Sequence, residues 1–190
     1  MSRQTKLFGK PDEIKIISKL ELAKGKILAQ QIHELIKPLC ERIELVGSIR
    51  RHKPTVGDID FVVVSTDSNW CRIGTKFKKS NTICFGKQLL KVNYPFDEGL
   101  FQADFYRATD KTCGIQKLIR TGSAEHNMFL ANYAINLNMH LHYSQGLICN
   151  EKVIAGKTEE SVFTALGLPF IKPEVRELGA NGKPVWFTNI

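Results

Sequence analysis

The stretch GSIRRHKPTVGDID, residues 47–60, gathers residue types that handle phosphate and metal ions. Asp58 and Asp60 alternate within VGDIDFVVVS (56–65), a β-branched run that reads as a strand. Side chains two apart on a strand share a face. Both carboxylates therefore project together, while Ile59, Phe61 and Val63 point into a core. Adjacent carboxylates disfavour each other's ionisation, and a purely structural strand gains nothing from that. A divalent cation removes the cost, because Mg²⁺ takes carboxylate and phosphate oxygens together. Just upstream, Gly47-Ser48 supplies a turn whose amides and hydroxyl can approach a phosphate. Arg50 and Arg51 follow, and at least one can grip a phosphate in bidentate fashion. Gly57 lets the chain come close to a ligand directly before the first carboxylate.

Such a site needs a third acid, and Asp104 is the best candidate. LFQADFYRA (100–108) reads as a strand with Gln102, Asp104 and Tyr106 on one face and Phe101, Ala103 and Phe105 on the other. With the apolar face inward, Asp104 lies beside the Asp58/Asp60 pair if the two strands are neighbours. Three carboxylates can hold two metal ions about 3.5–4 Å apart, the arrangement for in-line phosphoryl displacement.

The elements that must position these groups read as helix, then sheet, then helices. Leu20, Ala23, Ile27 and Leu35 recur at helical spacing and predict a helix over 13–37, ended by Pro38. IELVGS (43–48) reads as a strand entering a tight turn. Residues 70–91 hold six Lys/Arg and no acid, and predict a helix or loop followed by a strand. From Gly114 the pattern is helical, in GIQKLIRTGS and EHNMFLANYAINLNM. Short strands or loops with Gly146, Gly156, Pro169, Pro173 and Pro184 complete the chain. A boundary is predicted near 110–114.

Composition narrows the function classes. Lys and Arg outnumber Asp and Glu by 27 to 19, giving a formal charge of +8 in 190 residues. That balance favours a polyanionic partner, nucleic acid before membrane. The five cysteines are widely spaced without a Cys-x-x-Cys, which argues against a disulfide framework or a zinc site and for reduced thiols in the cytoplasm. No apolar run approaches membrane-spanning length, and MSRQTKLFGK does not read as a secretory signal.

Gly47-Ser48, nine residues, then Asp58-x-Asp60 resembles the signature of the nucleotidyltransferase superfamily, and the fuller G-S-x-R-R…G-D-x-D resembles family X DNA polymerases, the DNA polymerase beta group. FQADFYRA, RTGSAEHN (120–127) and residues 154–178 extend the likeness over most of 43–178. The resemblance implies an α+β fold. A palm over 1–112 would carry a mixed or antiparallel sheet flanked by helices, and a small α+β C-terminal subdomain over 113–190 would bind the nascent base pair. It implies a DNA-directed DNA polymerase that transfers a dNMP from a dNTP to a primer 3′-hydroxyl, fills short gaps in DNA repair and acts as a monomer on primer-template or gapped DNA. Asp58 and Asp60 would bind both of two Mg²⁺ ions, or Mn²⁺ in their place. Asp104 would bind the catalytic ion and help deprotonate the primer hydroxyl. Gly47, Ser48, Arg51 and Gly57 would hold the β- and γ-phosphates. Thr121, Gly122 and Ser123 would border the sugar, and Asn127 the minor-groove edge of the base.

The departures from that pattern set further expectations. The 46 residues before Gly47 are too few for the usual lyase domain, so deoxyribose-phosphate lyase activity is not expected. DNA grip falls to Lys76, Lys78 and Lys79 of the basic segment or to Arg3, Lys6 and Lys10; a solvated basic face is the alternative reading. His126 is either a nucleotide or DNA contact or a structural hydrogen-bonding group. Ile119-Arg120 replaces the family's aromatic pair, which leaves sugar discrimination open. Ala124 and Ala131 replace polar groups near the base pair, which points to low fidelity. His140 and His142 lack a nearby third metal ligand. Trp70, Phe77 and Phe85 are assigned to the core, and Trp186 and Phe187 to local packing. The rival functions are a template-independent nucleotidyltransferase acting on RNA, a protein or a small molecule, and a non-catalytic nucleic-acid-binding module.

Overall fold

The computed structural model describes residues 15–177 and Pro184; Arg3, Lys6, Lys10, Trp186 and Phe187 lie outside the described residues. The chain runs β1 (Leu20–Glu21), α1 (Leu22–Ile36), β2 (Arg42–Leu45), α2 (Gly47–Arg50), β3 (Thr55–Val56), β4 (Ile59–Val64), α3 (Asp67–Thr75), β5 (Thr82–Phe85), β6 (Leu89–Phe96) and β7 (Gly99–Ala108). It continues with α4 (Cys113–Thr121), α5 (Ala124–Asn136), β8 (Met139–His142), β9 (Gly146–Cys149), β10 (Lys152–Ala155) and α6 (Glu159–Ala165).

Five strands form one sheet in the order β2-β4-β7-β6-β5. The β4–β7 pair is parallel and the others are antiparallel, so the sheet is mixed. The fold is α+β as expected. One face of the sheet packs Ile59, Phe61, Val63, Leu90, Val92, Phe101, Ala103 and Phe105 against α1 and α3. Period-two alternation sends Val62, Val64 and Ala108 to the opposite face, where they meet Val46 and Cys113. A separate apolar cluster joins α4, α5 and α6 to the three-stranded sheet β10-β9-β8 through Ile115, Leu118, Leu130, Leu147, Val162 and Phe163.

Three expectations need correction. The helix expected over 13–37 begins at Leu22 among the described residues, because residues 15–21 are extended. Ile17 donates its amide to Leu100 O (2.8 Å), and Leu20-Glu21 pairs with Thr55-Val56. The helix's buried stripe is Gly25, Leu28, Ala29, Ile32 and Ile36, which leaves Ile27 exposed. The 56–65 strand is split: Val56 belongs to β3, and the bend at Gly57-Asp58 leaves Asp58 just before β4. Of the aromatics assigned to the core, Trp70 and Phe77 are buried, whereas Phe85 is half exposed on the sheet edge. Helix starts follow side-chain caps: Thr66 accepts from Asn69 N, Ser123 from His126 N, and Thr158 and Ser161 form a reciprocal capping box. Among the described residues no helix is long and apolar enough to cross a membrane.

A buried ionic cluster ties α2 to the C-terminal elements. Arg50 donates to both oxygens of Glu159 (2.9 and 2.5 Å) and to Thr121 Oγ1 (2.6 Å). Arg176, wholly buried, donates to Glu159 Oε1 (2.7 Å) and twice to Ile171 O. Burial alone would raise the Glu159 carboxyl. The hydrogen bonds and charges of Arg50 and Arg176 instead hold it below the usual carboxylate range. Removing one member of such a cluster strands buried charge, at a cost of about 3–5 kcal/mol. Glu159→Ala is therefore expected to lower the thermal midpoint far more than Glu160→Ala, its exposed neighbour; equal midpoints in calorimetry would contradict the role given to this cluster.

Candidate active site

The parallel register sets Asp60 directly opposite Asp104, with Ile59 opposite Ala103 and Phe61 opposite Phe105. Asp58 joins them from the bend ahead of β4. Each of the three offers a carboxylate oxygen within 4.8 Å of the others. Asp104 is buried, and Asp58 and Asp60 are partly buried. Three acids this close in a desolvated place resist ionising together. Burial, then the charges of Asp58 and Asp104, push Asp60 up to about 8. Burial and the charge of Asp104 also raise Asp58, against the pull of Lys91.

Asp104 is held on every side. Gln102 Nε2 donates to Oδ1 (2.9 Å), and the Tyr106 hydroxyl (3.1 Å) and Lys91 Nζ (2.5 Å) donate to Oδ2. Burial and the nearby acids raise the Tyr106 phenol well above its ordinary value, which keeps it a donor. Arg120 of α4 lies over the Tyr106 ring at 4.0 Å, in cation–π contact.

Gly47 shows why no side chain is tolerated beside these acids. Its φ is +66°, and a Cβ placed there would lie 2.0 Å from Asp60 Oδ2. Ser48 Oγ, next in the chain, is buried without a protein partner among the described residues. An orphaned hydroxyl next to a crowded carboxylate cluster fits a phosphorylated ligand bridged by cations. Gly57 is exposed and open.

The two arginines divide. Arg50 is committed to Glu159 and Thr121. Arg51 donates through Nη1 to Thr121 O and through Nε to Glu177 (3.1 Å). Its Nη1 packs against Gly122, whose φ is +73°; a Cβ there would come within 3.0 Å. Arg51 thus joins the Gly-Ser turn to the Thr121-Gly122-Ser123 turn. Thr121 is buried under Arg50, and the Ser123 hydroxyl is occupied as the α5 cap. Asn127 Nδ2 donates to Ile119 O (2.7 Å), while its Oδ1 is buried with no hydrogen bond among the described residues.

Lys76, Lys78 and Lys79 are exposed around the end of α3. His126 lies inside the C-terminal elements. It is wholly buried near Phe163 (ring centroids 6.4 Å), and burial pushes its imidazole down to about 3, so it is neutral. His140 is exposed and His142 stacks on Tyr143 (5.2 Å); the carboxylate trio is the metal-capable cluster among the described residues. Sequence reasoning missed Lys91, Arg120, Glu159 and Arg176. A signal for Lys91 was present: Leu90 and Val92 are core residues, so Lys91 must take the acidic face of the sheet.

The raised Asp60 value fixes a pH dependence. The folded state binds this proton more tightly than the unfolded chain, so its stabilising contribution is complete below about pH 4 and is lost as pH rises through about 8. In metal-free buffer the wild-type thermal midpoint is expected to fall from pH 6 to pH 9 more steeply than that of Asp60→Asn, which should be the more stable protein at pH 9. Parallel curves would contradict the crowding.

No curated protein sequence matches the chain. Residues 117–177 match the DNA polymerase beta thumb family. Among solved structures the chain is similar to Leishmania infantum polymerase beta, crystallised as a ternary P/T complex, with a TM-score of 0.73 and 18% identity over 84% of this chain and 77% of that one. The expected fold is thus present, and the thumb match covers the elements that pack against Arg50 and Arg51. The chain therefore has a fold similar to that of a polymerase beta, and its residues 117–177 match the DNA polymerase beta thumb family.

Proposed function

We propose that this chain is a DNA-directed DNA polymerase of family X type, adding dNMP from a dNTP to a primer 3′-hydroxyl and filling short gaps during DNA repair. The observation that carries this reading is the crowding of Asp58, Asp60 and Asp104 beside the orphaned Ser48 hydroxyl. We assign the palm to residues 1–112 and the nascent-base-pair subdomain to 113–190, and take the protein as a cytoplasmic monomer.

Asp58, Asp60 and Asp104 are the residues that fit two divalent cations, Mg²⁺ or Mn²⁺. Bound there, such cations lower the pKa of an attacking hydroxyl and neutralise phosphate charge. The protein's own groups do the rest. Asp104 faces the primer and takes up the proton of its 3′-hydroxyl. The oxygen attacks the α-phosphorus, the bond to the β-phosphate oxygen breaks, and pyrophosphate leaves. Ser48 donates its hydroxyl to the leaving phosphates, Arg51 offers a charged donor beside it, and Gly47 and Gly57 leave room for their approach. Gly122 and its neighbours Thr121 and Ser123 border the sugar, with Arg51 fixing the Thr121 carbonyl. Asn127, anchored to Ile119 O, faces the base. The exposed Lys76, Lys78 and Lys79 supply phosphate contacts that screen with salt.

Primer extension on a one-nucleotide gapped duplex, with and without Mg²⁺, tests the reading. Template-directed dNMP addition that requires Mg²⁺ is expected. Untemplated addition would select the template-independent transferase, and DNA binding without turnover the non-catalytic module. Asp104→Ala is expected to abolish addition without unfolding the protein. Arg51→Ala is expected to cost about 1.5–3 kcal/mol in kcat/KM for the nucleotide, the value of a charged hydrogen bond; unchanged kinetics would remove Arg51 from the phosphate site.

A further inference from the structure

The ammonium of Lys91 stands where a cation is needed. Lys91 pairs with Asp104 across the β6–β7 ladder, on the side of Asp104 away from Asp60. Its Nζ lies 2.5 Å from Asp104 Oδ2, and among the described residues it is the one side chain forming an ion pair with the carboxylate trio. Asp104 is 1% exposed, whereas the Lys91 side chain is 31% exposed. The carboxylate is enclosed, whereas the lysine side chain has access to solvent. Beside it opens a cleft of about 290 Å³, lined by Gln88, Tyr106, Gln116, Arg120 and Tyr143. Gln88 there offers an amide oxygen to an ammonium that leaves Asp104, whereas Gln116 Oε1 already accepts from Arg120 Nε (3.3 Å).

We propose that Lys91 is the resident counter-cation of Asp104: a positioning residue that holds the carboxylate in the row with Asp60 and competes with a divalent ion for Oδ2. This rests on the metal-binding role given to the trio above. An ion that uses Oδ2 displaces the ammonium, so part of its binding free energy goes into breaking that ion pair. Lysine suits the task because its charge is compact and its four-carbon stem flexible.

The test is Mn²⁺ binding to the protein alone, with no nucleotide or DNA, followed by electron paramagnetic resonance at pH 8.5. Lys91→Met is expected to bind Mn²⁺ at least about tenfold more tightly, the low end of what one charged hydrogen bond is worth. Lys91→Arg should stay close to wild type, because the competing charge remains. In an Asp104→Asn background, Lys91→Met should gain much less, because only the more distant charge effect on Asp58 and Asp60 remains. Lys91→Gln is read by the same criteria if Lys91→Met fails to fold. Equal or weaker Mn²⁺ binding, no binding in any variant, or the same gain in the Asp104→Asn background overturns the proposal. Tighter Mn²⁺ binding in a protein that fails to extend primers would leave the Lys91 role standing and reject the polymerase reading.

Discussion

Asp60 and Asp104 face each other across a parallel ladder six residues long, and neither can retreat without breaking it. The apolar residues that alternate with them, Ile59, Phe61, Ala103 and Phe105, are locked in the core on the opposite face. A one-residue slip would turn each acid into that core and expose its neighbours. The hydrophobic pattern of two strands thus enforces an electrostatically unfavourable pair, and the bend at Gly57-Asp58 adds a third acid. Protons and Lys91 relieve the repulsion in the metal-free protein. Gly47 belongs to the same constraint, since any Cβ there would strike the Asp60 carboxylate.

The second organising feature is the division of labour between Arg50 and Arg51. Neighbours on one helical turn, they reach two different partners in the C-terminal elements. Arg50 enters the buried cluster with Glu159 and Arg176, so it fixes where α6 and α4 sit. Arg51, buried to a similar degree, reaches Thr121 O and Glu177 instead. Gly114 makes the closeness explicit: a Cβ there would lie 2.3 Å from the Thr158 backbone at the start of α6. These C-terminal elements are therefore packed tightly onto one another and hydrogen-bonded to the turn that carries Ser48.

The sheet core and the acids were legible because both rest on local periodicity. Alternation in FQADFYRA assigns Asp104 its face without knowledge of the partner strand, and the register agrees. The extended entry before α1 was not legible. Helical spacing ran on into 13–21, and the bonds that keep residues 15–21 extended come from Leu100, Thr55 and Val56, distant in sequence. The burial of His126 was hidden for the same reason, since the elements around it converge from α5, α6 and residues near 176. Likewise, nothing in Arg50-Arg51 says which arginine will meet Glu159, 109 residues away. The Thr121-Gly122-Ser123 turn was recognisable as a motif, yet its hydroxyls are occupied by Arg50 and the α5 cap.

The central claim is that three carboxylates brought together by the β4–β7 ladder hold divalent cations next to the Ser48 turn. Anomalous diffraction from crystals grown with Mn²⁺ and a non-hydrolysable dNTP tests it most directly. The account predicts manganese peaks within coordination distance of Asp58, Asp60 and Asp104, with nucleotide phosphate oxygens beside Ser48. Peaks at other carboxylates, or nucleotide bound with the trio free of metal, would contradict it.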